Sequence, residues 1–230
     1  MATLAILPIK TFDDAKQRLG AALAPGPRRA LAEAMFSDVL VALRRSAAID
    51  EILVISSDSA AQQIAAGHGA TVEDDTDEGH NVAAAAGIRT ALERGLERVL
   101  LVPGDCPMLD PRELDELVAR PIAGRSALIV PDRHGTGTNA LLLTPPDSLA
   151  PAFGPGSCER HVAEARVQGT VDAPRVATRI RRASLARKPN GPTLGHRHAC
   201  PTSACGQKLL SQWATEAGGP YPRRDGKVAM

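Results

Sequence analysis

The stretch Arg98-Val-Leu-Leu-Val-Pro-Gly-Asp-Cys-Pro-Met-Leu109 indicates an α/β fold with a ligand site at the edge of its sheet. The apolar run that ends at Val102 is typical of a buried parallel strand, and Gly104 and Pro107 interrupt it. Asp105 therefore stands at the carboxyl end of a strand, where open α/β sheets bind their ligands. A carboxylate there suits Mg²⁺ held between protein and phosphate oxygens. A turn with a solvated aspartate fits the same pattern, and the stretch alone leaves both interpretations open.

Outward from this stretch, short apolar strands alternate with helices of regular apolar spacing. This alternation predicts an α/β domain with a mostly parallel sheet covered on both faces. The predicted strands are residues 2–9, 52–56, 71–73, 98–102, 126–130 and 139–143. The predicted helices are residues 27–46, 59–67, 80–95, 111–120 and 157–165. Three of these helices have a predicted capping side chain, namely Asn81, Asp110 and Ser157.

Composition limits the class of protein. The chain is 43% apolar but only 2% aromatic, so its core must consist of Ala, Leu, Val and Ile. A net charge of +1 argues against a general polyanion binder, and no apolar run reaches membrane-spanning length. Four cysteines are too few for a disulfide framework. We therefore expect a cytoplasmic protein with no nucleic-acid or membrane partner, and we consider a homodimer.

The end of the chain differs from the rest. Residues 181–230 carry 9 Lys or Arg against 2 Asp or Glu, and the apolar periodicity is lost. We therefore divide the chain into a domain over residues 1–168 and an irregular basic tail over residues 169–230. We interpret the tail as disordered or as the product of a shifted reading frame. A zinc module between His196 and Cys205 is less favoured because the spacing fits no common one, and a nucleic-acid arm lacks interleaved aromatics.

Two loops after predicted strands have features that suit a nucleotide. Loop 1 (residues 7–19) carries Lys10, Lys16 and Arg18, which can neutralise phosphate charge. It has no Walker glycine pattern, so it is not a P-loop. Loop 2 (residues 73–81) places five carboxylates before a helix and ends in Gly79-His80-Asn81, which can face a base edge or a ribose. A solvated basic turn and a structural helix cap are the alternative interpretations.

Two further loops have features that suit a small anion. Loop 3 (residues 131–139) contains two glycines with Thr136, Thr138 and Asn139. Loop 4 (residues 153–161) leads into a helix start, which is a ready anion site. Cys158 and His161 lie three residues apart on that helix, and we interpret them as core residues rather than a catalytic pair, because no orienting third group is evident.

Four separated motifs in these loops resemble the guanylyltransferases of coenzyme F420 biosynthesis. They are Leu7-Pro-Ile-Lys10 with Ala15-Lys-Gln-Arg-Leu19, Gly104-Asp-Cys-Pro-Met-Leu109, Pro131-Asp-Arg-His-Gly-Thr-Gly-Thr-Asn139 and Phe153-Gly-Pro-Gly-Ser157. They occur in order over residues 4–168, which makes the resemblance specific. It implies a single Rossmann-like nucleotidyltransferase domain that uses Mg²⁺. It also implies condensation of GTP with 2-phospho-L-lactate or phosphoenolpyruvate and release of diphosphate.

The resemblance assigns roles to individual positions. Lys10, Lys16, Arg18 and Asp105 would be the catalytic residues, and Asp105 would hold the metal. The phosphorylated three-carbon acid would be bound by Thr138, Gly154 and Ser157. The nucleotide would be bound by Lys10, His80, Asn81 and Gly104.

The resemblance stops near the start of the tail. Family members carry a late Leu-Asp-Val-Asp-Thr-Pro-Glu-Asp segment whose aspartates join the first one at the metal. This chain has no such segment, and Asp172 is its only carboxylate between Glu164 and Glu216. The resemblance therefore implies GTP binding with slow turnover. A catalytically impaired nucleotide-binding domain and a sugar-phosphate nucleotidyltransferase, or nucleotide-sugar glycosyltransferase, of similar fold are the alternatives.

Overall fold

The computed structural model describes residues 1–15, 22–76, 78–121 and 124–169. Within them the strands are β1 (Thr3–Pro8), β2 (Glu51–Ile55), β3 (Thr71–Glu73), β4 (Arg98–Leu101), β5 (Ser126–Pro131) and β6 (Thr138–Thr144). The helices are α1 (Pro25–Arg45), α2 (Ser59–Gly67), α3 (His80–Glu93), α4 (Pro111–Val118) and α5 (Ser157–Val167). Almost all of the predicted tail, from residue 170 onward, lies outside the described residues, as do Lys16 and Arg18 of loop 1.

The six strands form one sheet in the order β3-β2-β1-β4-β6-β5. The four strands β3, β2, β1 and β4 are parallel, while β6 runs antiparallel to both β4 and β5. This confirms the predicted α/β fold with a mostly parallel sheet. Because β6 runs backwards, its first residue lies at the same edge as the carboxyl ends of β1 and β4. Loop 3, which joins β5 to β6, is therefore brought to the predicted ligand edge.

Helices cover both faces of the sheet, each over its own apolar cluster. On one face α1, α2 and α4 bury residues such as Phe36 and Leu114 against alternate strand positions. On the other face α3 and α5 pack residues such as Ile88 and Ala165 against the intervening positions. All six residues of β1 are buried, as expected for a central strand covered on two sides. The core is almost entirely aliphatic, as the composition predicts.

Side-chain caps start two of the helices. The Asp58 carboxylate accepts hydrogen bonds from the N–H groups of Ala60 and Ala61 and so caps α2. Asp110 accepts from the N–H of Arg112 and caps α4, which confirms the predicted cap. Each carboxylate satisfies amide donors that the first helical turn would otherwise leave unpaired.

The other two predicted caps are wrong. Gly79, with a φ of 118°, precedes α3, and Gly156, with a φ of 71°, precedes α5. Glycine alone adopts such positive φ angles without a steric cost, so in each case the chain turns one or two residues earlier than predicted. Asn81 and Ser157 consequently lie inside the first helical turn, and neither side chain caps its helix.

Gly87 in α3 gives a direct test of how tightly this helix packs on the sheet. A Cβ at Gly87 would lie 2.5 Å from Ile6 Cγ2 and 3.0 Å from Ile55 Cδ1. We expect Gly87→Ala to lower the free energy of unfolding by about 1–3 kcal/mol, because overpacking a core forces the neighbours to shift. Gly67→Ala in α2 is the control, since a Cβ there meets nothing within 4 Å. It should raise stability slightly in the same urea titration, and equal effects of the two changes would contradict this account.

Candidate active site

The carboxyl ends of the neighbouring strands β1 and β4 form the centre of the candidate site. Lys10 is exposed two residues after β1, and Asp105 is half-buried four residues after β4. Gly104 lies against the Ile9 side chain so closely that a Cβ would clash with Ile9 Cδ1. The absence of a side chain at Gly104 therefore lets the ends of β1 and β4 pack closely together.

Asp58 anchors the start of loop 1, although no sequence motif predicts this role. Its Oδ2 accepts a hydrogen bond of 2.8 Å from the Phe12 N–H while its Oδ1 caps α2. Burial acts to raise the pKa of Asp58, but the three backbone donors and Arg29 outweigh it and lower that pKa. Arg29 also pairs with Asp13 in the loop at 2.9 Å. Loop 1 is thus held in place by a charged residue on β2–α2 and another on α1.

A β-bulge at the start of β6 redirects Thr138. Val130 pairs with Ala140, but the next residue, Pro131, pairs with Thr138, so one extra residue is inserted in β6. Strict alternation would place Thr138 on the same face as Ala140, beneath α1 and α4. The bulge shifts that alternation by one position. Thr138 instead contacts α5 on the opposite face, where its hydroxyl lies 2.9 Å from His161 Nδ1.

Asp132 holds loop 3 in its shape. Its Oδ1 accepts hydrogen bonds of 3.0 Å from the N–H groups of His134 and Thr136. Burial acts to raise the pKa of Asp132, and the donors from Gly137, Thr136 and His134 more than offset this and lower it. The Thr136 carbonyl accepts from the N–H of Cys158 at 3.1 Å, which joins loop 3 to the start of α5.

His161 connects loop 3 to loop 4. Its ring is 0% exposed, with Nδ1 at the Thr138 hydroxyl and Nε2 accepting a 2.9 Å hydrogen bond from the Ala152 N–H. Both ring nitrogens therefore have partners other than Cys158, and burial raises the pKa of the Cys158 thiol. The two residues do not form a nucleophile–base pair, which agrees with their interpretation as packing residues.

Asn81 of loop 2 forms hydrogen bonds with Phe153 of loop 4. The Phe153 N–H donates to Asn81 Oδ1 at 2.7 Å, and Asn81 Nδ2 donates to the Phe153 carbonyl at 3.2 Å. The Phe153 ring packs edge-on against both His80 and His161, with ring centroids 5.3 Å and 5.2 Å apart. The Asn81 side chain therefore joins loops 2 and 4. No local sequence pattern predicts this contact.

The remaining predicted acid-binding positions lie beside this junction. Gly154 is exposed with a φ of 124°, and Ser157 is buried at the first turn of α5. Arg160 donates to the carbonyl groups of Ala152 and Pro155 at 2.9 Å and 2.5 Å and so braces the backbone around Gly154. Thr138 is linked through His161 to Ala152 in loop 4, and Gly154 and Ser157 follow in the same loop.

The burial of His161 predicts a specific pH dependence of stability. Burial, with a smaller contribution from Arg160, lowers the pKa of His161 to about 4 from its usual 6.5. The unfolded chain therefore takes up this proton first as the pH falls. We expect the free energy of unfolding to decrease by up to about 3 kcal/mol between pH 6.5 and pH 4 from this group. Urea titrations of the wild type and of His161→Asn, which cannot titrate, should differ by this slope; parallel pH profiles would contradict it.

The described residues contain neither a cluster of metal-ligating side chains nor a membrane-spanning helix. Within residues 1–15, 22–76, 78–121 and 124–169, no group of three or more His, Cys, Asp or Glu side chains could hold a metal ion. Asp105 is the described carboxylate that follows β4 at the ligand edge, and it can supply one oxygen ligand. None of the helices in this part of the chain is long and apolar enough to span a membrane.

The six-stranded, mostly parallel sheet with helices on both faces has a counterpart among solved structures. A solved structure from Desulfovibrio desulfuricans G20, described as a nucleotide-diphospho-sugar transferase, superposes with a TM-score of 0.58. It is 16% identical and covers 74% of this chain and 78% of that one, so it supports the fold alone. The family model "Guanylyl transferase CofC like" matches residues 3–172. The chain therefore belongs to the CofC-like guanylyl transferase family, as the motifs indicate, and is an enzyme of the nucleotidyltransferase class.

Curated relatives agree with this assignment. A phosphoenolpyruvate guanylyltransferase of Conexibacter woesei is 54% identical over 171 residues, which cover 74% of this chain and 77% of that protein. A phosphoenolpyruvate guanylyltransferase of Sphaerobacter thermophilus is 40% identical, with 74% and 81% coverage. A 2-phospho-L-lactate guanylyltransferase of Methanothermobacter thermautotrophicus is 32% identical, with 74% coverage of each.

Proposed function

We propose that this protein transfers the guanylyl group of GTP to phosphoenolpyruvate or 2-phospho-L-lactate in coenzyme F420 biosynthesis. The observation that carries the proposal is the 54% identity to a phosphoenolpyruvate guanylyltransferase over 171 residues. The structure supports it because loops 2, 3 and 4 are joined by direct hydrogen bonds at the edge where Lys10 and Asp105 lie.

Catalysis of this reaction requires the protein to position the two substrates rather than to form covalent bonds with them. A phosphate oxygen of the acid attacks the α-phosphorus of GTP, the bond from that phosphorus to the bridging oxygen breaks, and diphosphate leaves. Lys10, with Lys16 and Arg18 from the undescribed part of loop 1, would neutralise the phosphate charge that develops. Asp105 would hold Mg²⁺, which when bound supplies additional positive charge at the phosphates.

The two substrates would occupy neighbouring halves of the edge. GTP would lie along loop 1, Gly104 and the His80–Asn81 helix start, where the close packing of Gly104 against Ile9 brings the ends of β1 and β4 together. The acid would lie at Thr138, Gly154 and Ser157, between loop 3 and the start of α5. In this arrangement the acid phosphate would face the end of β4, where the α-phosphate of GTP is expected.

A substrate panel tests the proposal. Purified protein with Mg²⁺ is incubated with GTP or ATP and with phosphoenolpyruvate, 2-phospho-L-lactate, 3-phosphoglycerate or a sugar phosphate, and diphosphate release is measured. We expect release with GTP and one of the three-carbon acids, and a higher kcat/KM with GTP than with ATP. Equal values for the two nucleotides would refute the guanylyl assignment, and release with a sugar phosphate alone would favour the sugar-phosphate alternative.

Thr138→Ala and Ser157→Ala should weaken the acid more than the nucleotide. Each change removes a buried hydroxyl from a region predicted to bind carboxylate and phosphate oxygens, at a cost of about 1–3 kcal/mol in acid binding. Isothermal titration with phosphoenolpyruvate and with GTP measures both affinities for each variant. Ser148→Ala is a control, since its buried hydroxyl bonds only the Thr144 carbonyl at 2.6 Å. Unchanged acid affinity in both variants would remove these residues from the site.

Several narrower points belong to the same proposal. They are a cytoplasmic location, a nucleotidyltransferase domain that ends near residue 168, a tail that adds no metal ligands, a homodimer, and the lack of a nucleic-acid partner. The match to the family model ends at residue 172, which is where the family's late aspartate segment would follow. Resequencing of codons 160–190 and light scattering of the purified protein test the tail and the homodimer.

A further inference from the structure

His161 makes two hydrogen bonds that together determine which ring nitrogen carries the proton. The Ala152 N–H lies 2.9 Å from Nε2, and a backbone amide can only donate, so Nε2 must be the unprotonated acceptor. A neutral imidazole then carries its hydrogen on Nδ1. Burial, aided by Arg160, lowers the pKa of this ring to about 4, so the neutral form is present at neutral pH.

The proton on His161 Nδ1 determines how the Thr138 hydroxyl can form hydrogen bonds. Within the part of the chain that the structure describes, the acceptor in reach of Nδ1–H is the Thr138 hydroxyl oxygen at 2.9 Å, and Thr138 as a residue is 7% exposed. A hydroxyl that accepts from a fixed donor keeps its own hydrogen for a different direction. Among the residues that the structure describes, no acceptor for this hydrogen is found. The Thr138 hydroxyl is therefore prepared to donate to something that the protein itself does not supply.

We infer that His161 is a positioning residue that makes the Thr138 hydroxyl a dedicated donor to an anionic oxygen of the phosphorylated acid. This inference rests on the proposed function for the identity of the acid. The same ring fixes the Ala152 amide, two residues before Gly154, so one side chain sets the donor on β6 and the backbone of loop 4. Carboxylate and phosphate oxygens only accept hydrogen bonds, so a hydroxyl locked as a donor favours them over ligands that donate.

Two substitutions of His161 distinguish the hydrogen bond made by Nδ1 from the one made by Nε2. In His161→Asn the side-chain amide nitrogen can take the place of Nδ1 and still donate to Thr138. In His161→Gln the amide oxygen can take the place of Nε2 and still accept from Ala152, but the donor to Thr138 is lost. We expect His161→Gln to raise the KM for the acid by about tenfold with the KM for GTP unchanged, and His161→Asn to raise it by less than about threefold.

A double-mutant cycle with Thr138→Val makes the assignment specific. If His161 acts through the hydroxyl, adding His161→Gln to Thr138→Val should cause no further rise in the acid KM. Melting temperatures of all variants are measured in parallel, because a merely structural role predicts that the acid KM follows stability. Equal effects of the Gln and Asn variants, or additive effects in the cycle, would overturn the inference.

The tautomer of His161 can be determined by a measurement that does not depend on enzyme activity. Long-range ¹H–¹⁵N NMR of the histidine rings in the wild-type protein distinguishes a proton on Nδ1 from one on Nε2. We expect His161 to show protonated Nδ1 and unprotonated Nε2 at pH 7, and a ring protonated on Nε2 would overturn the inference. Failure of the proposed function looks different, since it would leave this tautomer in place while GTP and the acids release no diphosphate.

Discussion

Asp105→Asn is expected to lower kcat by about 100-fold or more while leaving the fold intact. Asn keeps the size of the side chain but removes the charge with which the carboxylate would hold Mg²⁺ beside the phosphates. A loss of about 2.7 kcal/mol of transition-state stabilisation corresponds to that factor, and metal ions commonly contribute several kcal/mol. The resemblance supplies no other matched carboxylate, so no neighbour is expected to compensate.

The measurement is kcat at saturating GTP and phosphoenolpyruvate over a range of Mg²⁺ concentrations. The variant should also require more Mg²⁺ to reach half of its maximal rate, because its site has lost a charged oxygen ligand. Asp110→Asn is the matched control, since Asp110 is exposed five residues further along the chain and only caps α4. A variant at position 105 with a rate within about threefold of the wild type would show that the metal is held elsewhere.

Asp58→Ala is expected to destabilise the protein by about 2–4 kcal/mol and to weaken GTP binding. The change removes the cap of α2, which costs about 1 kcal/mol, and leaves the Phe12 N–H without its acceptor, which costs about 1–3 kcal/mol. Asp58 also forms an ion pair with Arg29. Without Asp58, the segment that leads from Lys10 toward Lys16 keeps only one of its two charged anchors, Arg29. The loop 1 side chains that would contact the phosphates should then spend less time in position.

Urea titration and the KM for GTP report the two effects. Asp110→Ala removes a cap of the same kind from α4, so it should cost about 1 kcal/mol and leave the KM for GTP unchanged. Asp58→Asn keeps one acceptor oxygen and should fall between the wild type and Asp58→Ala in both measurements. If Asp58→Ala and Asp110→Ala behave alike, the bond to Phe12 does not position the loop.

Much of the fold was accessible from local sequence patterns. The apolar runs after Ala2, Asp50 and Glu97 predicted β1, β2 and β4 to within one or two residues, because a strand buried on both faces must be continuously apolar. The bounds of α2 and β3 were predicted correctly for a similar reason, since flanking glycine and polar residues delimit them. Asp105 could be placed at a strand end from the residues around it alone.

Contacts between distant segments could not be predicted in this way. The hydrogen bonds between Phe12 and Asp58, between Phe153 and Asn81 and between His161 and Thr138 join residues that are 46, 72 and 23 positions apart. A capping motif shows that a side chain has an acceptor oxygen, but it does not show which amide will reach it. For this reason Asn81 and Ser157 were predicted as caps, whereas the preceding glycines begin those helices.

The sequence by itself determined the class of fold and the set of loops that carry charged, hydroxyl and glycine residues, because periodicity and composition are local properties of the chain. The tertiary structure decided which of these residues face one another. The reversed direction of β6 brings loop 3 to the carboxyl ends of β1 and β4, and one extra residue between Thr138 and Ala140 turns the Thr138 hydroxyl from the α1 face to His161 on α5. A strand's direction and register depend on pairing energies summed over the whole sheet, and a shift of one residue exchanges its faces.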